Sequence, residues 1–201
     1  MPLCLKLSDY DTAFEAACAA IGAGGIVAYP TDTLYGLGCD ATNKEAVAKL
    51  RKLKGRDSKK PLSIIVADFP AIEGLCSLSE KQKGILHRLL PGPYTFILPL
   101  RHRLPICEGL EAGLRVPAHA FMSEVSKKLG IPIVSTSANL SGEKEAPGAD
   151  DISPSVLEGV SLLVDGGICQ YAQGSTVIDL IQMKVLRKGA VRQGDVFEWE
   201  K

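Results

Sequence analysis

A cationic stretch, residues 49–60, contains the side chains best suited to bind a polyanion. Its sequence is KLRKLKGRDSKK, with seven lysines or arginines against the single acid Asp57, in a chain that has as many acids as bases. Lys54 and Arg56 are the strongest candidates, because Gly55 lifts the chain out of a predicted helix between them. An arginine can bind phosphate or carboxylate through two donors, and a lysine supplies a compact charge. The three cations before Lys54 equally suit the solvated end of a helix.

Two hydroxyl-rich segments follow predicted strands, where open α/β sheets commonly bind their ligands. The segment TDT, residues 31–33, follows the first of these strands, and STSAN, residues 135–139, follows a later one. Each segment is equally well explained as a polar turn.

Arg115 lies in a short apolar strand and needs an anionic partner, either a core aspartate or a substrate carboxylate. Arg187 ends the last predicted strand, where it reaches either a phosphate or solvent.

The composition excludes several other classes of protein. With 201 residues, 46% of them apolar, and balanced charge, the chain suits one globular domain, residues 1–201, rather than a general nucleic-acid binder. Its six cysteines and three histidines show no zinc spacing and no catalytic dyad, so we expect free thiols in a reducing cytoplasm. The usual phosphate-loop and dinucleotide-binding glycine motifs are missing. We expect neither a signal peptide nor a membrane span.

Apolar periodicity and capping residues predict helices that alternate with strands. The predicted helices are 9–22, 42–54, 80–90 and 118–129. The predicted strands are 25–29, 61–66, 94–100, 113–116, 131–135, 162–164, 175–181 and 184–186. We expect capping boxes in which Thr42 pairs with Glu45 and Ser79 pairs with Gln82. Residues 36–38 are predicted to form a turn. The order of elements favours one α/β domain with a mixed sheet.

The most irregular segment is LSGEKEAPGADDI, residues 140–152, which is rich in glycine, proline and charge. It lies too far inside the chain to separate two domains of viable size. We therefore expect a mobile loop that covers a binding site.

Several motifs, in order along the chain, resemble those of the YrdC/TsaC family, the threonylcarbamoyl-AMP synthases. They are YPTDTLYGLG, KGR, SIIV, PGPYTFIL, LRVP, STSANLSG and GSTVIDL, and they extend over nearly the whole chain. The most specific feature is a KxR element, residues 54–56, combined with an SxN element, residues 137–139. The resemblance implies a YrdC-like α/β fold, in which a twisted mixed sheet is flanked by helices and carries a cationic groove.

The resemblance also implies a reaction, in which L-threonine, bicarbonate and ATP give threonylcarbamoyl-adenylate and pyrophosphate. Mg²⁺ is expected to accompany ATP, without a metal ion held tightly by the protein. The product then supplies the t6A modification of tRNA position 37, through separate partner proteins. The expected location is the cytoplasm, and no membrane partner is expected.

Site residues are implied by the same motifs. The implied catalytic residues are Lys54, Arg56, Ser137 and Asn139. The implied threonine-binding residues are Thr33, Arg115, Ser135 and Ser175. The implied ATP-binding residues are Arg56, Lys60, Ser137, Asn139 and Arg187. The chain departs from the family pattern at Glu111, where a threonine or serine is common, and at residues 187–189, which replace an Arg-Pro-Gly turn. It also brings acids into residues 143–146, where serine or threonine is expected.

Two other functions stay open at this point. A non-catalytic relative of the same fold would bind RNA through the cationic groove, with an affinity that falls steeply with salt. No aromatic stacking surface is interleaved with the basic residues, which disfavours this alternative. The other is a domain of the hydrogenase-maturation carbamoyl transferases. Those chains are much longer and carry zinc-finger-like cysteines, which this sequence lacks.

Overall fold

The structure, a computed structural model, describes residues 2–55 and 61–195. Within them, ten strands form one mixed sheet, flanked by six α-helices and one 3₁₀ helix at Ala149–Asp151. The strands are β1 Leu3–Lys6, β2 Val27–Tyr29, β3 Gly36–Gly38, β4 Ser63–Ile65, β5 Tyr94–Pro99, β6 Glu111–Arg115, β7 Ile133–Ser137, β8 Leu162–Asp165, β9 Thr176–Asp179 and β10 Lys184–Arg187. The helices are α1 Tyr10–Gly22, α2 Lys44–Leu53, α3 Phe69–Leu75, α4 Glu80–Leu89, α5 Phe121–Leu129 and α6 Pro154–Leu157. The predicted α/β fold with a mixed sheet is confirmed.

The strand order across the sheet is β1-β8-β2-β3-β7-β4-β6-β5-β9-β10. Three pairs at the centre of the sheet are antiparallel, namely β2 with β3, β3 with β7, and β7 with β4. The pairs β4 with β6 and β5 with β9 are parallel. This mixture brings the ends of strands from distant parts of the sequence together near the middle of the sheet. No helix among the described residues is long and apolar enough to cross a membrane.

The central strands are buried on both faces, and alternate residues pack into different cores. Ile65 and Ile133 pack with α1 and α5 on one face, whereas their neighbours Ile64 and Val134 pack with α2, α3 and α4 on the other. Successive side chains of a strand point to opposite faces, so the part of a strand that is covered on both sides is apolar at successive positions. Each such side chain stabilises the fold by about 1.5–3 kcal/mol relative to exposure.

Of the two predicted capping boxes, one is present in the structure. Ser79 and Gln82 form the expected capping box at the start of α4. The predicted cap at Thr42 is wrong, because Asn43 caps α2 and its side-chain oxygen accepts the N–H groups of Glu45 and Ala46, each at 3.0 Å. Thr42 instead donates its hydroxyl to Asp40 at 2.7 Å.

The predicted turn at residues 36–38 is wrong, since these residues form the central strand β3. Gly36 and Gly38 have no side chains, and the ring of Tyr29 from β2 fills that space. A Cβ atom on Gly38 would lie 2.8 Å from Tyr29 Cε1 and 2.9 Å from the carbonyl oxygen of Val134. Glycine is therefore used here for close packing within a strand rather than for a turn.

Residues 140–152 contain the 3₁₀ helix, and their middle is anchored to the core. Ala146 is fully buried, and its carbonyl oxygen accepts the backbone N–H of Tyr35 at 2.9 Å. Strand β7 also extends two residues further than predicted, through Ser137, so the first part of STSAN belongs to the sheet. The mobility of the loop stays a prediction.

We predict that Gly38→Ala lowers the free energy of unfolding by about 1–3 kcal/mol, because the new methyl group must displace Tyr29 or Ile133. Urea denaturation measures this change. Gly84→Ala is the matched control, since a Cβ atom there meets nothing within 4 Å and α4 gains about 0.5–1 kcal/mol from alanine. Equal stabilities of the two variants would contradict the packing role of β3.

Candidate functional site

A polar cavity of about 260 Å³ opens near the middle of the sheet. Hydroxyl groups dominate its lining, together with the charged side chains of Arg115, Arg187 and Glu145. The lining hydroxyl residues are Thr31, Thr33, Ser63, Thr95, Ser135, Thr136, Ser137 and Ser175. Hydroxyls donate and accept hydrogen bonds without adding charge, so this lining suits a small polar ligand that has anionic groups.

Arg115 at the end of β6 is the buried cation of the cavity. One of its terminal nitrogens, Nη2, donates to Asp32 Oδ1 at 3.1 Å and to Thr33 Oγ1 at 2.9 Å. Its Nε is buried and has no hydrogen-bond partner in the part of the chain that the structure describes. Burial lowers the pKa of the guanidinium, and the Asp32 carboxylate opposes that change. Of the two partners that the sequence left open, the core aspartate is present, and Arg115 also faces the cavity.

The segment Thr31–Thr33 combines a turn with a binding surface. Thr31 Oγ1 accepts the N–H groups of Thr33 at 3.1 Å and Leu34 at 3.2 Å, so this residue forms the turn expected of such a segment. Asp32 points away from solvent and also accepts the N–H of Ala118 at 3.0 Å. Thr33 is left with its hydroxyl in the cavity, next to Arg115.

Ser175 is held against the neighbouring strand by Thr95, a residue that the sequence analysis missed. The hydroxyl oxygens of Thr95 and Ser175 lie 2.8 Å apart, and both residues are buried. Arg187 donates from Nε and Nη2 to the carbonyl oxygen of Ser175, at 3.2 and 2.9 Å. The sequence offers only one indication of the role of Thr95, which is a threonine inside the largely apolar segment YTFIL. This indication is weak unless it is known that β5 lies beside β9.

Lys54, the lysine of the KxR element, contacts the SxN element. Lys54 is buried, and its ammonium donates to the carbonyl oxygens of Ser137 and Asn139 and to Asn139 Oδ1. An ammonium has three donors, and these three oxygens accept them. Ser137 lines the cavity, but Lys54 and Asn139 are not among its lining residues.

The residues predicted from the sequence differ in whether they line the cavity. Thr33, Arg115, Ser135, Ser137, Ser175 and Arg187 line one cavity, as expected for a shared site. Arg56 and Lys60 lie outside the described residues, so the cationic groove stays a prediction. Glu111 begins β6, is exposed and does not line the cavity, whereas Glu145 does. No group of three or more His, Cys, Asp or Glu residues in the described ranges could hold a metal ion.

Other titratable groups near the site are held in their neutral forms by burial. Burial raises the pKa of Tyr29 to about 12, and it raises the pKa of the Cys169 thiol. The imidazole of His119, behind Asp32, has a pKa below its usual value, since burial disfavours its charged form. At neutral pH the charges of the described site are therefore those of its arginines, Lys54 and its carboxylates.

We predict that Asp32→Ala lowers the free energy of unfolding by about 3 kcal/mol or more, because the Arg115 guanidinium then stays buried without its counter-ion. Urea denaturation measures this, with Asp32→Asn as the milder variant. Glu73→Ala removes a half-exposed partner of Lys83 and is the control, with an expected loss of about 0–1 kcal/mol. A loss at Asp32 no larger than that of the control would contradict the structural role of the pair.

Comparisons with known proteins show the family to which the chain belongs. A family model named Sua5/YciO/YrdC, with the description "Telomere recombination", matches residues 19–189. A Methanocaldococcus jannaschii protein named "Putative threonylcarbamoyl-AMP synthase" is 36% identical over 172 residues, which is 85% of this chain and 80% of that protein.

Solved structures give the same relationship. The structure of P. abyssi Sua5 complexed with L-threonine is 30% identical, with a TM-score of 0.86 over 94% of this chain. This chain spans only 57% of the length of that Sua5. E. coli YciO, at 24% identity and a TM-score of 0.83 over 94% of this chain and 96% of its own, shares the fold. The chain therefore belongs to the Sua5/YciO/YrdC family.

Proposed function

We propose that this protein is an L-threonylcarbamoyladenylate synthase, a nucleotidyltransferase that converts L-threonine, bicarbonate and ATP into threonylcarbamoyl-AMP and pyrophosphate. The observation that carries the proposal is the convergence of Arg115 with the hydroxyls of Thr33, Ser135 and Ser175 in one cavity. The printed name of the M. jannaschii relative and the L-threonine bound to P. abyssi Sua5 support it.

L-Threonine would bind at the buried end of this cavity. Its carboxylate would pair with the Arg115 guanidinium, which lines the cavity. Its hydroxyl and amine would bind among Thr33, Ser135 and Ser175. Asp32 and Thr95 would act as positioning residues, since each holds one of these groups in place.

ATP would bind at the end of the cavity formed by Ser137 and Arg187, together with the family residues Arg56 and Lys60. Lys54 and Asn139 would act indirectly. Lys54 donates to three oxygens of the segment 137–139, so it would fix the position of Ser137. The SxN element would then present the Ser137 hydroxyl, and nearby backbone groups, to the nucleotide.

The chemistry would depend on positioning rather than on a covalent enzyme intermediate. The amine of threonine forms a C–N bond with the carbon of bicarbonate, and water leaves. An oxygen of the resulting carbamate then attacks the α-phosphorus of ATP, and the bond to the β-phosphate oxygen breaks to release pyrophosphate. Holding the two reactants in line within one cavity supplies much of the rate, and cations stabilise the charge that moves onto pyrophosphate.

A nucleophilic cysteine is not required by this route. Burial raises the pKa of the thiols of Cys39 and Cys76 to about 12, so both stay protonated near neutral pH. Mg²⁺ would enter as part of the substrate Mg·ATP, and the donor set of the cavity suits that arrangement, because it offers one carboxylate, Glu145, beside several hydroxyls.

The product would serve the t6A modification of tRNA position 37. Threonylcarbamoyl-AMP is a mixed anhydride, so a separate protein would have to transfer the threonylcarbamoyl group to tRNA before water hydrolyses it. We accordingly propose a cytoplasmic enzyme that works with ATP, L-threonine, bicarbonate and a tRNA-modifying partner.

Pyrophosphate release by the purified protein tests this proposal. With ATP, Mg²⁺ and bicarbonate, release should require L-threonine. Lys54→Met should reduce the rate by about 100-fold, because Ser137 and Asn139 lose the group that holds them. Arg187→Gln, which changes an exposed residue of the cavity lining, should also lower the rate, and circular dichroism checks that both variants are folded.

Lys52→Met is the matched control, since this exposed lysine lies on the same helix and away from the cavity. It should retain the wild-type rate. Threonine-independent release, or wild-type rates in both Lys54→Met and Arg187→Gln, would contradict the proposal. A folded protein that binds RNA with a steep salt dependence and releases no pyrophosphate would favour the RNA-binding alternative.

A further inference from the structure

Glu145 introduces a negative charge into a cavity proposed to bind a polyanion. It is exposed and lines the cavity together with Arg187. No other residue of the described ranges forms a hydrogen bond or an ion pair with its carboxylate. The other carboxylates of the neighbourhood differ from it, since Asp32 is paired with Arg115, and Glu111 and Glu143 do not line the cavity.

The carboxylate of Glu145 lies close to Gly174, and so does the guanidinium of Arg187. A Cβ atom on Gly174 would lie 3.3 Å from Glu145 Oε1 and 3.4 Å from Arg187 Nη2. The carboxylate and the guanidinium therefore flank the same glycine, next to Ser175, without forming an ion pair. Arg187 directs Nε and Nη2 to the carbonyl oxygen of Ser175, and that arrangement leaves Glu145 beside it rather than bonded to it.

Each of the two described cations that line the cavity has a carboxylate near it. The charge of Arg115 is balanced by Asp32, and the charge of Arg187 is opposed by Glu145 close by. A metal-free ATP held by Arg187 would bring its phosphates near the Glu145 carboxylate, which forms no ion pair among the described residues, and like charges at such range repel. A divalent cation between the two would reverse the sign of the interaction.

We infer that Glu145 is the protein carboxylate that receives the Mg²⁺ of Mg·ATP, so that the site selects the metal-complexed nucleotide. Mg²⁺ in nucleotide sites is commonly held by one or two carboxylates, substrate phosphates and retained waters, which is the donor set available here. This inference rests on the proposed function, because it requires that the cavity bind ATP. It adds a metal-binding role for a residue at which the chain departs from the pattern of its family.

Calorimetric titration of ATP, without threonine and bicarbonate, tests the inference through binding alone. Each protein is titrated once with excess Mg²⁺ and once with EDTA. Glu145→Gln should weaken Mg·ATP binding by about tenfold and leave metal-free ATP binding unchanged or tighter, because the metal ligand is lost along with the negative charge. The preference for Mg·ATP over ATP should therefore shrink by tenfold or more.

Glu143→Gln is the matched control, since it makes the same change of charge two residues earlier, at an exposed position outside the cavity lining. It should keep the wild-type preference. A Glu145→Gln variant with the wild-type preference overturns the inference, and so does one that binds both forms of ATP more tightly by the same factor. A wild-type protein that binds ATP in neither condition refutes the proposed function itself, and the inference with it.

Discussion

The interaction on which the site depends is the buried contact of Arg115 with Asp32 and Thr33. A guanidinium is costly to bury, and the cost is offset only when a counter-ion and hydrogen bonds accompany it. Asp32 supplies the charge and also binds the backbone N–H of Ala118, which follows the same strand as Arg115. The contact therefore joins the turn after β2 to the end of β6, two strands that are not neighbours in the sheet. The same guanidinium lines the cavity, where an anionic group of a ligand would meet it.

A second buried cation, Lys54, holds the segment 137–139, of which Ser137 lines the cavity. Its ammonium donates to oxygens of Ser137 and Asn139. These contacts join the end of α2 to the end of β7, and Ser141 donates its backbone N–H to the Lys54 carbonyl at 3.0 Å. The two cations thus hold parts of the cavity lining, Thr33 through Arg115 and Ser137 through Lys54, and the proposed catalysis by positioning requires such fixed groups. Exposed charges, Arg187 and Glu145, then complete its open side.

The sequence predicted those features that depend on local patterns. Helix α4 follows from its apolar spacing and its Ser79–Gln82 capping box, and the site residues follow from recognisable motifs. Strand β3 was missed because its glycines carry no pattern, and their reason is the ring of Tyr29 on the adjacent strand. Thr95 was missed because its partner is 80 residues away. The charge of Lys54 was predicted, but its inward direction depends on carbonyl groups that only the folded chain brings near.

Binding of L-threonine to Arg115→Lys, measured by calorimetry beside the wild type, tests the account most directly. The lysine keeps the charge opposite Asp32 but lacks the planar fork that would bind a carboxylate through two donors. The account predicts a folded variant whose affinity for L-threonine falls by about tenfold or more, the effect of losing a charge-assisted hydrogen bond. A folded Arg115→Lys protein that binds L-threonine as tightly as the wild type would contradict the assignment of Arg115 as the residue that binds the substrate carboxylate.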